Sequence, residues 1–297
     1  MRILITGGTG FFGKSLFRYK NELNNPDTFL VSRRDKMPWS NLRATVIHGD
    51  VRNFKYPEGD FDYIYHGAAP SSSIEPIPDD VMVSTIIDGN ERVLNFAMNT
   101  SAKLLFVSSG AVYHKASRKV GENTPCNPFT EYGRAKLEAE KMCLQSGVDC
   151  RIARCFSFIG EYLPLEAHFA IANFIKNCLE NTPIVIKGDG TPFRSYMHAE
   201  DLVKWLWKIM TVGRKGSIYN VGSDRTISIY DLARTVKRIA GIYLPIQISL
   251  RSSFAGQITE CYAPNIDKAR KELGLNVLIS LEEAIKRTLE YHRGNVT

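Results

Sequence analysis

Short apolar runs alternate with longer amphipathic segments through the first half of this chain. The runs are RILIT, TFLVS, ATVIHGD, FDYIYHGA, KLLFVSSG and DCRIARC. Runs of this kind predict buried strands, whereas segments such as VMVSTIIDGNERVLNFAMN carry apolar residues at the i, i+3, i+4 and i+7 spacing of a helix. Strands that alternate with helices predict a parallel sheet covered by helices on both faces, which is a doubly wound α/β fold.

The alternation ends after residue 160. The helical segment AHFAIANFIKNCLEN is followed by short strands, by turn residues at GDGTP, and by the helical segments AEDLVKWLWKIM and LEEAIKRTLEYHR. We therefore expect two domains: a sheet domain over residues 1–160 and a smaller domain over residues 161–297.

Four glycines follow the first predicted strand directly: Gly7, Gly8, Gly10 and Gly13. Glycine is unfavourable inside strands and helices, so this cluster indicates a constraint on the backbone. The letters GTGFFG fit G-x-G-x-x-G, and a turn of this kind between a strand and a helix predicts a Rossmann-type site for a dinucleotide pyrophosphate. A tight turn with close helix–strand packing is the alternative. The residues predicted to contact the cofactor here are Gly7, Gly10, Phe11, Phe12 and Gly13.

The end of the second strand reads LVSRRD, with Ser32, Arg33 and Arg34 near the position where a dinucleotide fold usually places an acidic residue. An acid would repel a 2′-phosphate, whereas a serine and two guanidinium groups would bind it through charge-assisted hydrogen bonds. We therefore expect NADP(H) rather than NAD(H), although NAD(H) stays possible. A solvated basic turn is the alternative.

Composition narrows the class of protein. The chain has 297 residues, 44% of them hydrophobic, and a net charge of +7 without a long basic run, which favours small anionic ligands over nucleic acid. No apolar stretch approaches a membrane span, and the first residues lack the features of a signal peptide. The six cysteines and six histidines form no metal pattern. We expect a cytoplasmic protein with reduced cysteines and without a metal, a membrane or a nucleic-acid partner.

Candidate chemistry lies in FVSSGAVYH (106–114) and EYGRAKLEAEK (131–141). Tyr132 and Lys136 are one helical turn apart, so the ammonium can lie beside the phenol and favour its ionised form. Such a tyrosine can exchange a proton with a carbonyl or hydroxyl oxygen, and Ser109, at the end of a strand, can bind the same oxygen. The alternative for Tyr132 and Lys136 is an ordinary surface pair at i, i+4 spacing, and the alternative for Ser109 is a turn hydroxyl.

Taken together, these motifs resemble the extended short-chain dehydrogenases/reductases of the nucleotide-sugar epimerase/dehydratase/reductase branch. The resemblance runs nearly end to end. It includes GDVRN (49–53), HGAA (66–69), SSGAVY, YGRAK, GDGTPFRSYMHAEDLV (188–203), NVGS (220–223) and DKARKELG (267–274). It implies that the second domain binds a nucleotide-diphosphate sugar and that part of 193–222 packs back on the first. It also implies a homodimer through helices like 82–99 and 131–146.

The resemblance also implies roles for particular residues. Ser109, Tyr132 and Lys136 would be the catalytic set, and Lys136 would also bind the nicotinamide ribose. Further cofactor contacts would come from Asp50, Val51, Ala68, Ala69, Thr85 and Tyr132. Substrate contacts would come from Ser71, Ser109, Tyr132, Ser157 and Arg194, the last holding the diphosphate. Thr85 and Ser157 replace asparagines that are frequent in this branch.

Departures from the family pattern narrow the reaction. Dehydratases of this branch carry an Asp-Glu pair before the Val-Tyr, and decarboxylating relatives a Glu, where this chain has Gly110 and Ala111. Neither residue titrates, so both reactions lose their acid–base groups. We expect NADPH-dependent reduction of a nucleotide-linked 4-keto-(deoxy)sugar. The alternatives are an NAD-dependent epimerase and, with less support, a non-catalytic NAD(P)- or RNA-binding protein on the same fold.

Overall fold

A seven-stranded parallel sheet forms the centre of the protein in a computed structural model that describes residues 1–19, 27–33, 44–70, 76–250 and 259–294. The strands are β1 (Arg2–Thr6), β2 (Asp27–Ser32), β3 (Thr45–His48), β4 (Tyr63–His66), β5 (Lys103–Ser109), β6 (Cys150–Cys155), β7 (Phe158–Ile159), β8 (Ile184–Ile186), β9 (Phe193–Ser195), β10 (Met197–His198), β11 (Ile218–Val221), β12 (Thr226–Ser228), β13 (Ile246–Ile248) and β14 (Cys261–Tyr262). The helices are α1 (Phe11–Arg18), α2 (Asp79–Thr100), α3 (Glu131–Gln145), α4 (Ala170–Leu179), α5 (Ala199–Val212), α6 (Ile229–Ala240), α7 (Asp267–Leu273) and α8 (Leu281–Gly294).

The strand order of the central sheet reverses direction next to β1. The order is β11-β6-β5-β4-β1-β2-β3, so the chain runs outward from β1 to β3 on one side and from β4 to β6 on the other. Ligands of doubly wound sheets bind at this reversal, beyond the carboxyl ends of the strands. The predicted Rossmann-type fold is confirmed, and the glycine turn after β1 lies at the reversal.

Successive side chains along β1 pack into two different cores, one on each face of the central sheet. Ile3 and Ile5 belong to the core that α1 and α5 cover, together with the fully buried Trp205. Leu4 belongs to the opposite core, which contains buried residues of α2 and α3. This period-2 division across an apolar run is what a strand buried on both faces requires.

The residues after β6 form a smaller body with a core of its own. Helices α4, α6 and α8 surround this core, and small sheets lie beside it in the orders β10-β7, β12-β9-β14 and β13-β8. Three later elements belong to the central sheet instead. Strand β11 pairs with β6 at its edge, and helices α5 and α7 pack in the core that contains Ile3 and Ile5. The division into residues 1–160 and 161–297 stays a prediction.

Candidate active site

The glycine turn holds β1 and α1 close together at the reversal point. Gly7 has a φ of +77°, and a Cβ on it would lie 2.9 Å from the carbonyl of Gly67. Gly10 precedes α1 without a side-chain cap, and no acidic residue occupies the first turn. The first helical hydrogen bond is donated by the amide of Lys14 to Gly10, so the amides of Phe11, Phe12 and Gly13 precede it. This geometry suits a phosphate anion.

The two phenylalanines of the turn have packing roles as well. Phe12 makes an edge contact with Phe158, with ring centroids 5.3 Å apart. Phe11 packs against the sheet core and also against the core of the smaller body. Their backbone amides, rather than their side chains, are therefore the groups that can contact a cofactor.

The end of β2 places Ser32 and Arg33 beside the glycine turn. Ser32 is buried, and its hydroxyl donates to Thr9 Oγ1 at 3.2 Å. The Arg33 guanidinium is 62% exposed and lies 4.0 Å from the carboxylate of Asp50. Arg52 donates to the same carboxylate at 2.8 Å and, with Arg33, holds the pKa of Asp50 below its usual value. Arg34 lies outside the described residues.

The remaining predicted cofactor contacts line the carboxyl end of the sheet or pack behind it. The amide of Ala68 donates to Thr6 Oγ1, and Ala68 and Ala69 pack against the α2–α3 core.

Val51 and Thr85 lie at helix α2. Val51 is buried, and its side chain packs against Gly89 of that helix. The Thr85 hydroxyl donates to the carbonyl of Val81 within α2, so it is already satisfied. Ser71 lies outside the described residues.

The structure brings Ser109, Tyr132 and Lys136 together. Ser109 ends β5, and Tyr132 lies in the first turn of α3, which Thr130 caps by accepting from the amide of Gly133. A Cβ on Gly133 would collide with the carbonyl of Ala111, so this glycine allows α3 to start directly beside the end of β5. Lys136 lies one turn later and is buried.

Burial dominates the electrostatics of these side chains. It lowers the pKa of Lys136 to about 8, and the Lys136 ammonium donates to the carbonyl of Val107 at 2.8 Å. Burial raises the pKa of Tyr132 to about 12, although hydrogen bonding with Ser109 acts in the opposite direction. The Lys136 ammonium lies 5.9 Å from the centroid of the Tyr132 ring. The expectation of a phenol with a lowered pKa is therefore wrong for this arrangement, because burial raises the pKa more than the interaction with Ser109 lowers it.

Two aromatic side chains enclose the residue after Ser109. A Cβ on Gly110 would lie 2.8 Å from both the Tyr262 hydroxyl and the ring of Phe156. The two rings are in contact, with centroids 5.0 Å apart. Ser157, predicted to contact substrate, follows Phe156 directly, and its carbonyl accepts from the amide of Met197. Sequence analysis missed Tyr262, which lies far along the chain and outside the quoted motifs.

Arg194 lies on β9 opposite Tyr262 on β14, and its guanidinium is 5.9 Å from the Tyr262 ring centroid. It forms an ion pair with Glu260 at 2.8 Å. Lys115 lies 4.0 Å from the same carboxylate. Glu260, which sequence analysis also missed, is therefore paired with the arginine that is predicted to bind a diphosphate.

A buried ion pair joins strand β6 to helix α3 next to the candidate site. Arg154 on β6 makes hydrogen bonds of 2.6 to 3.2 Å with both carboxylate oxygens of Glu140 on α3. Ser108, the neighbour of Ser109, donates to the same carboxylate. Arg154 also donates to the Tyr113 hydroxyl at 2.8 Å. This network joins β6 to α3 and β5, the two elements that carry the three catalytic candidates.

The described residues contain neither a cluster of metal-ligating side chains nor a helix of membrane-spanning character. No group of three or more His, Cys, Asp or Glu side chains among them is arranged to hold a metal ion. Within the same residues, no helix combines the length and the apolar character that crossing a bilayer requires.

Comparisons with known proteins agree with the geometry. The family model described as "NAD dependent epimerase/dehydratase family" matches residues 3–222. UDP-glucuronic acid decarboxylase 1 of Xenopus tropicalis is 30% identical over 98% of this chain and 72% of its own length. A probable dTDP-glucose 4,6-dehydratase of Sinorhizobium fredii is 27% identical over 99% and 93%. The crystal structure of a UDP-glucose 4-epimerase from Thermotoga maritima, with UDP-glucose, shares the fold at a TM-score of 0.86 and 23% identity over the whole of both chains.

Proposed function

This chain belongs to the NAD-dependent epimerase/dehydratase family, and we propose that it transfers a hydride and a proton at one carbon of a nucleotide-linked sugar. The direction that we favour is reduction of a 4-keto sugar to the alcohol. The residues present suit a dinucleotide. The start of α1 has no side-chain cap, so its first amides can bind a pyrophosphate, and Gly7 lets the turn pack closely against Gly67. The bound nicotinamide would supply the hydride.

The proton chemistry falls to the chain's own residues. Tyr132 gives its phenolic proton to the carbonyl oxygen as the hydride reaches carbon, and a solvent proton later restores the phenol. Ser109 donates a hydrogen bond to the same oxygen and so stabilises the negative charge that develops there. The Lys136 ammonium, 5.9 Å from the phenol ring, stabilises the phenolate that Tyr132 becomes.

The observation that carries this proposal is the closed space at Gly110. Removal of water from a sugar requires a base and an acid beside the reacting carbons. Position 110 has no side chain, and the Tyr262 hydroxyl and the Phe156 ring occupy the volume that one would fill. This supports hydride transfer without elimination, despite the dehydratase and decarboxylase names of relatives.

The choice of cofactor separates reductase from epimerase. Arg33 and Arg52 place two guanidinium groups against one carboxylate, Asp50, beside the glycine turn, and this excess of positive charge supports binding of a 2′-phosphate. A consumed reductant is typically NADPH, so we favour the reductase. The NAD-dependent character of the family supports the second candidate, an epimerase that oxidises and re-reduces one carbon.

We propose a nucleoside-diphosphate sugar as the substrate, as in the names of the relatives. Arg194 supports this class, because its side chain is one-quarter exposed and lies next to Tyr262 in the site. A guanidinium is well suited to bind a diphosphate in two places. The substrate would have to displace Glu260 from Arg194.

One assay decides between the candidates. Protein is mixed with NADPH and a nucleotide-linked 4-keto-6-deoxysugar, and nicotinamide absorbance is followed together with the sugar products. We expect consumption of one NADPH per sugar, after which the reaction stops. Formation of an epimer from a nucleotide sugar without net loss of cofactor would establish the epimerase, and elimination of water or carbon dioxide would overturn both.

A further inference from the structure

Tyr262 reaches the catalytic candidates from near the end of the chain. Strand β14 pairs in parallel with β9, and this register places Tyr262 beside Arg194. The Tyr262 ring then lies against Phe156, and its hydroxyl approaches the space over Gly110, the neighbour of Ser109. A second phenol therefore lies beside the residue that follows the serine.

The hydrogen bonds of the Ser109 hydroxyl can be counted. A serine hydroxyl has one proton to donate and two lone pairs that accept. Ser109 Oγ accepts from the amide of Ala111 at 3.1 Å, which uses one lone pair. The Ser109 hydroxyl lies near enough to Tyr132 and Tyr262 to lower the pKa of each phenol. In the proposed reaction Tyr132 must give its proton to the sugar oxygen, so Tyr262 is the phenol that can stay on Ser109.

We propose that Tyr262 is a positioning residue, whose phenol donates to the second lone pair of Ser109 Oγ and so directs the single serine proton at the reacting sugar oxygen. The proposal rests on the proposed function, since it assigns Tyr262 a part in that same proton transfer. Burial raises the pKa of Tyr262, which keeps the phenol protonated and able to donate throughout the neutral range.

Gly110 has a part in this arrangement. Any side chain at position 110 would meet the Tyr262 hydroxyl at 2.8 Å, which is tighter than a Cβ contact allows. A glycine after Ser109 therefore leaves space for the phenol of Tyr262 next to the serine. The absence of a side chain at position 110 thus removes an acid–base group and makes this space available.

The test is a double-mutant cycle on Ser109 and Tyr262. We expect Tyr262→Phe to lower kcat roughly five- to tenfold, the scale of one hydrogen bond, with KM and cofactor affinity within about twofold. On a Ser109→Ala background the same change should cost nothing further, because Tyr262 acts through the serine. Tyr56→Phe is the matched control: its buried hydroxyl has no hydrogen-bond partner among the described residues, so kcat should not change.

Two outcomes of the cycle would overturn the proposal. If Tyr262→Phe leaves kcat unchanged, the phenol has no part in proton transfer. If its loss multiplies with that of Ser109→Ala, Tyr262 acts on the substrate directly.

A second measurement does not depend on turnover. 3-Fluorotyrosine is placed at position 262, and its fluorine resonance is compared between the Ser109→Ala variant and the unchanged serine. We expect a shift at position 262 and none when the label is at position 56. An unmoved resonance at 262 contradicts the hydrogen bond. If the unmodified enzyme turns over no nucleotide sugar but the resonance shifts, the proposed function fails while the contact between Tyr262 and Ser109 stands.

Discussion

Lys136 holds an ammonium group almost completely out of water, with 2% of the residue exposed. Burial lowers the pKa of this lysine from 10.5 to about 8 in the folded protein. Between these two values the unfolded chain binds more protons than the folded chain, so stability rises with pH through this window. Lys136 therefore costs stability at neutral pH.

We predict that Lys136→Met stabilises the fold while it abolishes turnover. The free energy of unfolding at pH 7 should rise by up to about 3 kcal/mol, the equivalent of the pKa shift. The gain should shrink as pH rises from 8 towards 10.5, where the wild-type lysine loses its proton. Urea unfolding at several pH values measures this. Lys141→Met, at an exposed position of the same helix, is the control, and equal gains for both variants would contradict the prediction.

We predict that Tyr132→Phe lowers kcat by at least about 10²-fold and leaves cofactor affinity unchanged, because it removes only the transferable proton. Steady-state rates and cofactor titration measure the two effects. Tyr243→Phe, at a fully exposed position, is the control. Activity of Tyr132→Phe within a few-fold of wild type would remove Tyr132 from the catalytic set.

Arg33 offers a test of cofactor choice on a single residue. We predict that Arg33→Ala weakens the affinity for NADPH roughly ten- to hundredfold and the affinity for NADH only slightly. The reason is the loss of a charged hydrogen bond to the 2′-phosphate. Fluorescence titration with each cofactor measures the ratio, and Arg214→Ala, at an exposed arginine, is the control. Equal losses for both cofactors would show that Arg33 does not bind the 2′-phosphate.

At the scale of elements, the Arg154–Glu140 pair fixes helix α3 to the strands that carry Ser108 and Arg154. The side chains of the pair are 5% and 2% exposed, so each charge relies on the other. Removal of one partner of such a pair leaves an uncompensated buried charge. The position of Tyr132 and Lys136 relative to Ser109 depends on this connection.

We predict that Glu140→Gln lowers the free energy of unfolding by about 3–5 kcal/mol. It should also lower kcat more than it raises KM, because Tyr132 and Lys136 lie on the helix that Glu140 anchors. Chemical denaturation and steady-state kinetics measure the two effects. Glu138→Gln, at an exposed ion pair of α3, should stay within about 0.5 kcal/mol of wild type. A loss below 1 kcal/mol for Glu140→Gln would mean that the charge of Glu140 is dispensable.

At the scale of the whole molecule, helices α2 and α3 pack side by side on one face of the sheet. Each leaves a large apolar side chain in water, Met98 at 49% and Leu144 at 45% exposed. The family resemblance implies a homodimer through these helices, and such a dimer would cover apolar side chains of this kind.

We predict a mass in sedimentation close to twice the 33.4 kDa of one chain. Leu144→Asp should shift the population towards monomer, since it places a charge in an apolar contact. Leu250→Asp, at an exposed leucine outside these helices, should leave the mass unchanged. A monomer at micromolar concentration for the unmodified chain would contradict the dimer.

Local sequence patterns predict the sheet, most of its flanking helices and the glycine turn. Period-2 burial, helical spacing and glycine requirements are local properties of the chain, so they can be read from neighbouring residues. The motif pattern also predicts Ser109, Tyr132 and Lys136 as the catalytic set, and these residues lie on β5 and α3.

Contacts between these residues and distant parts of the chain depend on how the folded elements pack together. Tyr262 and Glu260 reach the site through the pairing of β14 with β9, a register that no local pattern specifies. The pKa of Tyr132 likewise depends on how much water the assembled fold removes, and this reversed the expected direction. Spacing along a helix predicts which side chains are neighbours, whereas desolvation and contacts across the sheet depend on the whole packed molecule.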